Sequence, residues 1–393
     1  MSRHPSDRTL RIGIFASYDL GRAGGVNTHI RAQAAALRSL GHEVCVIGAS
    51  SAPLADGEIA LCGSVSLVIG HTETGFGIDP RSWWTSKRLL RERRFDVLHM
   101  HEPLMPLPSW FVLWQAQAPV VATFHTYRER GHKWYPKYRW LFEPMMGRVT
   151  TRLAVSDAAR RTVAAHFPGD YEVVPNAIDV GRFAMPAVPP ALVSDRRRYV
   201  LCVGRLEPRK GLDRLLQAMA IVRQQTPCAQ LVVVGEGPDR AAIESQARGL
   251  GVDVLFAGRV SDDELPGFYQ AADVVCAPAL GDESFGIVLL EAMAAGRPIV
   301  ATNIAGYAEL LAPARCARLA DVDDPASLAR EICAVLNNPT LARTLGERGA
   351  LAARQYDWRV VAQRLEEIYY GAITPGGVRA PHYARVGISS AGV

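Results

Sequence analysis

Two carboxylates, Glu283 and Glu291, stand eight positions apart in the run 279–306, ALGDESFGIVLLEAMAAGRPIVATNIAG. That separation is about two helical turns, so the spacing predicts both on nearly one face of a helix, with Glu283 at its mouth. Ser284-Phe285-Gly286 would form the turn and the first helical amides. Unpaired N–H groups and a positive dipole end suit a phosphate there, and Gly286 lets backbone approach a ligand. The two carboxylates can each accept sugar hydroxyls. Phosphate plus two sets of hydroxyls describes a nucleotide-sugar. An amphipathic helix with a solvated Glu face would explain the spacing but not so specific a turn. Arg205 and Lys210 follow another strand, YVLCVG, in the loop RLEPRKG. A planar fork of donors beside a point charge suits a diphosphate. Stabilising that leaving group is the main electrostatic task of glycosyl transfer. The Asp-x-Asp match, Asp321-Val322-Asp323, lies past these segments and reads as a loop and helix cap, and Arg205, Lys210 and the amides at 284–286 would take the place of a metal.

The elements that would carry these residues alternate. RIGIFA is an apolar strand followed by the glycine loop Gly21–Val26, a helix from about Asn27 to Leu40, and the strand Val44–Gly48. This is a βαβ unit, which predicts a parallel sheet. Gly24-Gly25 therefore sits at a strand's carboxyl end, where open α/β sheets bind ligands. Strands DVLHMH and Val120–Thr123 follow, and His125 lies at the carboxyl tip of the second. A histidine so placed is a ligand candidate. Leu107, Trp110, Phe111 and Trp114 repeat at helical spacing and read as a core stripe. Prolines 186, 189 and 190 before Asp195–Arg198 mark a linker, after which a second strand–helix series begins. The expected organisation is a first Rossmann-like domain over 1–186, a linker over 187–198 and a second domain over 199–355. A helix over 356–372 and a disordered tail over 373–393 would complete it.

The chain has 393 residues, 49% of them hydrophobic and 21% charged, enough for two filled cores. Its net charge of +5 does not by itself imply nucleic acid, and no nucleic-acid partner is expected. Seven scattered cysteines, an odd number and without a C-x-x-C pair, read as buried thiols of a reducing compartment. No apolar leader and no run long enough to span a bilayer are seen, so a cytoplasmic protein with at most peripheral membrane contact is expected. Two stretches bear on such contact. Residues 81–95, RSWWTSKRLLRERRF, predict a basic and poorly amphipathic helix. Residues 127–140, YRERGHKWYPKYRW, interleave aromatics and cations, as a solvated flap, an acceptor lip or a headgroup contact would.

Gly24-Gly25-Val26, His125, GRLEPRKG, GEGP, Gly258–Val260 and the paired glutamates occur in an order that resembles retaining glycosyltransferases of family 4, with the GT-B fold. The resemblance covers about residues 10–370. It implies that Arg205 and Lys210 bind the donor diphosphate and that Glu291 holds the ribose. Glu283 and backbone near Ser284, Phe285, Gly286 and Ile287 would hold the donor sugar. His125 would contact the sugar near its reacting carbon, Gly24 and Gly25 would close over the phosphates, and backbone near Val260 would meet the base. Retention without a metal, and a last helix crossing back to the first domain, are also implied. HMHEP, VATFHTY and the basic helix are similar to phosphatidylinositol mannosyltransferases, which implies GDP-mannose as donor and a lipid or glycan acceptor at the cytoplasmic leaflet. Two other readings compete. One is a nucleotide-sugar epimerase on the same fold. The other is a peripheral membrane or nucleic-acid binding protein with a degenerate cleft.

Overall fold

The computed structural model describes residues 8–22, 24–69, 72–129, 131–191 and 197–374. Of the expected tail over 373–393, residues 375–393 lie outside them, as do the middle of the linker and Arg130, while Ile373 belongs to the last helix. The first sheet uses β1 (Arg11–Ala16), β2 (Glu43–Ser50) and β3 (Glu58–Gly63), then an antiparallel hairpin β4 (Val65–Ile69) and β5 (Thr72–Phe76) stands apart. The sheet continues with β6 (Val97–His101), β7 (Val120–Phe124), β8 (Thr151–Ala154) and β9 (Glu172–Val173). Its order is β3-β2-β1-β6-β7-β8-β9, and its ladders are parallel. β6 and β7 are buried at every position, as strands covered by helices on both faces must be.

The second sheet contains β10 (Arg198–Val203), β11 (Ala229–Val234), β12 (Val254–Gly258), β13 (Val274–Ala277), β14 (Ile299–Thr302) and β15 (Ala317–Ala320). Its order is β12-β11-β10-β13-β14-β15, again parallel. The strand order reverses beside β1 in one sheet and beside β10 in the other. Both reversals put loops at strand carboxyl ends onto a shared cleft.

The chain's last described helix, Trp358–Ile373, leaves the second domain and completes the first. Asp357 caps it by accepting from the Arg359 amide at 2.9 Å. Trp358 N donates to Ile178 O at 3.1 Å. Trp358, Val361, Ala362, Leu365, Ile368 and Tyr369 are buried with Ile30, Ala34 and Leu37 of the helix Gly25–Ser39. Their spacing is one apolar stripe of a helix.

Polar contacts join the domains across the cleft. Arg128 meets Asp282 at 3.0 Å, and the Glu129 amide donates to Asp282 at 3.2 Å. Glu309 pairs with Arg161 at 2.5 Å and accepts from the Ala158 amide at 2.9 Å. The 127–140 stretch is no simple flap. It contains the helix Trp134–Lys137 and runs into Arg139–Met146, anchored by the buried Tyr135.

The stripe read at 107–114 needs correction. The helix Pro108–Gln115 buries Val112 and Leu113, while Trp114 is 51% exposed and lies 5.4 Å from the Arg148 guanidinium. The short helix turns its smaller side chains to the sheet. In Ser82–Arg93 the buried residues are Ser82, Ser86 and Leu89, and Trp84 points outward.

Leu365→Ala should remove a buried contact between the last helix and the first domain at a cost of about 2–5 kcal/mol. Thermal unfolding of the variant should show a lowered first transition. An unchanged midpoint would mean that the last helix is not part of that core.

Candidate active site

Glu207 is only 3% exposed, and the loop after β10 is built on it. One of its oxygens lies 2.8 Å from Arg205 Nε and the other 3.2 Å from Arg209 Nε. A buried carboxylate is stable when both oxygens meet cations. Arg209 also reaches Glu283 through its Nη1, and Lys210 Nζ lies 2.7 Å from Glu283 Oε1. Burial works against the charge of Arg209, yet Glu283 and Glu207 hold its pKa above the ordinary value. Three cations thus face two carboxylates, leaving excess positive charge at the cleft, with Arg205 about half exposed. A cavity beside them is lined by Gly204, Arg205, Lys210, Val288 and Tyr307. Arg209 and Glu207 are the members that sequence reasoning did not single out. Their signal was the run E-P-R-K, where a short turn has to aim neighbouring charges inward.

The segment 283–287 departs from the expected helix. The helix runs only over Ile287–Ala294, so Glu283 lies in the loop before it and not on one helical face with Glu291. The reason is Gly286, which adopts φ +86 and ends any continuation backwards. A Cβ there would stand 2.6 Å from the Tyr307 ring, so close packing as well as ligand approach calls for glycine. The Phe285 side chain is buried and meets Tyr356 edge-on at 6.0 Å. Phe285 can therefore offer only its backbone to a ligand. Ser284 and Ile287 are half-buried, and no side chain caps the helix start. Val260 is half-buried against the core, which leaves backbone as its means of contact.

Glu291 accepts a hydrogen bond from Tyr269 Oη at 2.6 Å. Burial pushes its pKa up to about 7 against the opposing pull of that hydroxyl. In the first domain Gly24 precedes the helix Gly25–Ser39, and both glycines have open space where a Cβ would be. His125 stands just beyond β7, and Arg128, three positions on, holds Asp282 beside Glu283. The loop after His125 thus reaches, through Arg128, the residue that precedes Glu283. Burial lowers the pKa of His125 to about 4, which keeps the ring neutral. No group of three or more His, Cys, Asp or Glu side chains among the described residues could hold a metal ion. Asp321 and Asp323 lie in the loop before a helix that Asp324 caps.

Residues 23–182 match the family described as Glycosyltransferase Family 4, and residues 188–351 match Glycosyl transferases group 1. A phosphatidyl-myo-inositol mannosyltransferase of Mycobacterium tuberculosis is 36% identical over 367 residues, covering 92% of this chain and 96% of that protein. The chain belongs to glycosyltransferase family 4. A phosphatidyl-myo-inositol mannosyltransferase of Propionibacterium freudenreichii is 30% identical, covering 92% of this chain and 94% of its own. A sucrose-phosphate synthase from Thermosynechococcus elongatus superposes with a TM-score of 0.73 at 22% identity, covering 92% of this chain and 98% of its own. This glycosyltransferase accordingly has the GT-B fold, two parallel-sheet α/β domains facing across a cleft.

Glu291 gives the family 4 site a pH signature. Its folded pKa, about 7, is raised above the ordinary carboxyl value. Such a group carries no charge-burial penalty below the unfolded value and loses stability as pH rises through the folded value. Between about pH 4.5 and about pH 7, Glu291→Gln should therefore gain thermal midpoint relative to the parent. A difference that stays flat across that range would contradict the raised pKa.

Proposed function

We propose that the protein is a retaining mannosyltransferase that moves mannose from GDP-mannose to a phosphatidylinositol-type lipid at the cytoplasmic membrane face, without a metal. The observation that carries this reading is the set Arg205, Arg209 and Lys210 held at the cleft by Glu207 and Glu283. A departing diphosphate gains negative charge as the bond from mannose C1 breaks, and fixed cations in a partly dry site stabilise it without reorganisation. The new bond forms between an acceptor hydroxyl oxygen and C1 on the face that the diphosphate leaves, and the hydroxyl gives its proton to the departing diphosphate oxygen.

In this reading Arg205, Arg209 and Lys210 hold the diphosphate, with Gly24 and Gly25 closing over it. Glu283, the amides of Ser284–Ile287 and neutral His125 hold the sugar. Glu291 takes the ribose hydroxyls, and backbone near Val260 meets the guanine. The names of the relatives at 36% and 30% identity favour mannose and an inositol lipid, and transfer over epimerisation.

The outer helices of the first domain support a lipid surface. Ser82–Arg93, Pro108–Gln115 and Arg139–Met146 pack in succession, and each exposes a tryptophan: Trp84, Trp114 and Trp140. Lys87, Arg88 and Arg91 extend from the first of them. Tryptophan with cations settles at a bilayer's headgroup level. No helix among the described residues is long and apolar enough to cross a membrane.

The test is transfer of labelled mannose from GDP-mannose to vesicles containing phosphatidylinositol, with EDTA present. The parent protein should make mannosyl-phosphatidylinositol, and Lys210→Ala should cut turnover by roughly 100- to 1,000-fold with its circular dichroism unchanged. Undiminished turnover in the variant, or activity only after adding a divalent cation, would overturn the proposal.

A further inference from the structure

Four histidines meet under the cleft: His29 from the first helix, His99 and His101 from β6, and His125 from the end of β7. His99 is tied at both ring nitrogens. Its Nδ1 lies 2.6 Å from Tyr369 Oη and 2.8 Å from Gln33 Nε2, and its Nε2 lies 2.7 Å from Thr123 Oγ1. It serves the packing of the last helix. His101 is different. It stacks between His99, with centroids 4.5 Å apart, and His125, 5.0 Å away. Its Nδ1 lies 2.7 Å from His125 Nε2. Its own Nε2 is buried without a partner among the described residues. The next residue, Glu102, grips the same histidine by its backbone. Glu102 Oε1 accepts from the amides of His125 and Thr126 at 2.7 Å each, and from Thr126 Oγ1 at 2.9 Å. Glu102 is 3% exposed and held at φ +54, a conformation that a non-glycine residue adopts only under surrounding constraint. Ser17 Oγ, 2.6 Å from His101 O and 2.8 Å from Glu102 O, fixes that strand end.

We propose that His101 and Glu102 are the positioning residues of His125, with Glu102 fixing its backbone and the His101 ring fixing its side chain and tautomer. This rests on the reading of His125 as a donor-sugar contact. An orphaned buried N–H is rarer in proteins than an orphaned acceptor. The unpartnered His101 Nε2 is therefore the bare nitrogen, and the proton sits on His101 Nδ1. His101 Nδ1–H then donates to His125 Nε2, and His125 carries its own proton on Nδ1. The ring offered to the sugar is a neutral donor of fixed orientation, which a free imidazole would not be. The tautomer follows from the hydrogen bond that the partner ring makes.

The test uses full-length protein labelled with nitrogen-15 in its histidines and compares His101→Phe, which keeps a flat buried ring, with His101→Asn, whose amide N–H falls where His101 Nδ1 was. His125→Ala assigns the His125 signals. The parent and His101→Asn should show His125 protonated at Nδ1. His101→Phe should lose that preference, lower kcat on the order of 100-fold, and change the donor KM much less. Glu102→Gln should lower kcat with the tautomer retained. The proposal is overturned if His125 keeps its tautomer in His101→Phe, or if that variant turns over like the parent. It is overturned also if Asn and Phe are equally impaired. The tautomer is read without substrate, so it decides the positioning role even where no sugar is transferred. Loss of the transferase reading would appear separately, as an inactive parent with an intact His125 signal.

Discussion

A glutamate that is almost fully buried has to find cations for both oxygens or lose its charge, and Glu207 finds Arg205 and Arg209. That constraint shapes the whole donor side of the cleft. Because Glu207 takes the Nε edge of each arginine, the remaining guanidinium nitrogens are free to face outward. Arg209 uses one on Glu283, and Lys210 shares the same carboxylate. The loop after β10 and the loop after β13 are thereby tied together at the point where a diphosphate and a sugar would meet. Gly306 supports the arrangement from below: a Cβ there would lie 2.1 Å from Glu283 O, so the 283–286 loop rests directly on the start of the helix Ala305–Ala314.

The other half of the site is arranged by similar means. β6 and β7 run side by side, and the end of β6 passes a histidine and a glutamate across to His125 at the end of β7. The last helix locks the far side of this cluster through Tyr369 and sets Trp358 4.8 Å from His29. A chain that leaves the second domain thus braces the floor of the first. The domains are otherwise joined near the site by Arg128 with Asp282, next to Glu283, and by Glu309 at the start of the helix Asp157–Ala164. Changes in the relative position of the domains would act directly on the residues beside Glu283.

Much of this was legible in the sequence. Apolar strands of four to eight residues alternating with helical periods announce parallel sheets. The proline-rich break near 186–190 separates the two series, and a glycine-flanked Arg/Lys loop stands out against apolar strands. Two features were not legible. Glu283 looked helical because spacing alone cannot show that Gly286 turns into the left-handed region under the Tyr307 ring. Trp114 looked like core because a stripe counts size and period, whereas the short helix presents Val112 and Leu113 to the sheet. The roles of Glu207, Arg209, His101 and Glu102 depend on which atoms meet across strand ends, and periodicity says nothing of that. Their motifs, EPRK and HMHEP, were visible, but their geometry was not.

The central claim is that fixed side-chain cations, splinted by Glu207, bind a nucleoside diphosphate without a metal. Calorimetric titration of GDP into the protein in EDTA tests it most directly, beside GMP and beside the variant Arg209→Ala. GDP should bind the parent at least tenfold more tightly than GMP, and Arg209→Ala should remove most of that difference, since each charge-assisted contact contributes about 1.5–3 kcal/mol. Equal affinity for GDP and GMP, or GDP binding unaffected by Arg209→Ala, would contradict it.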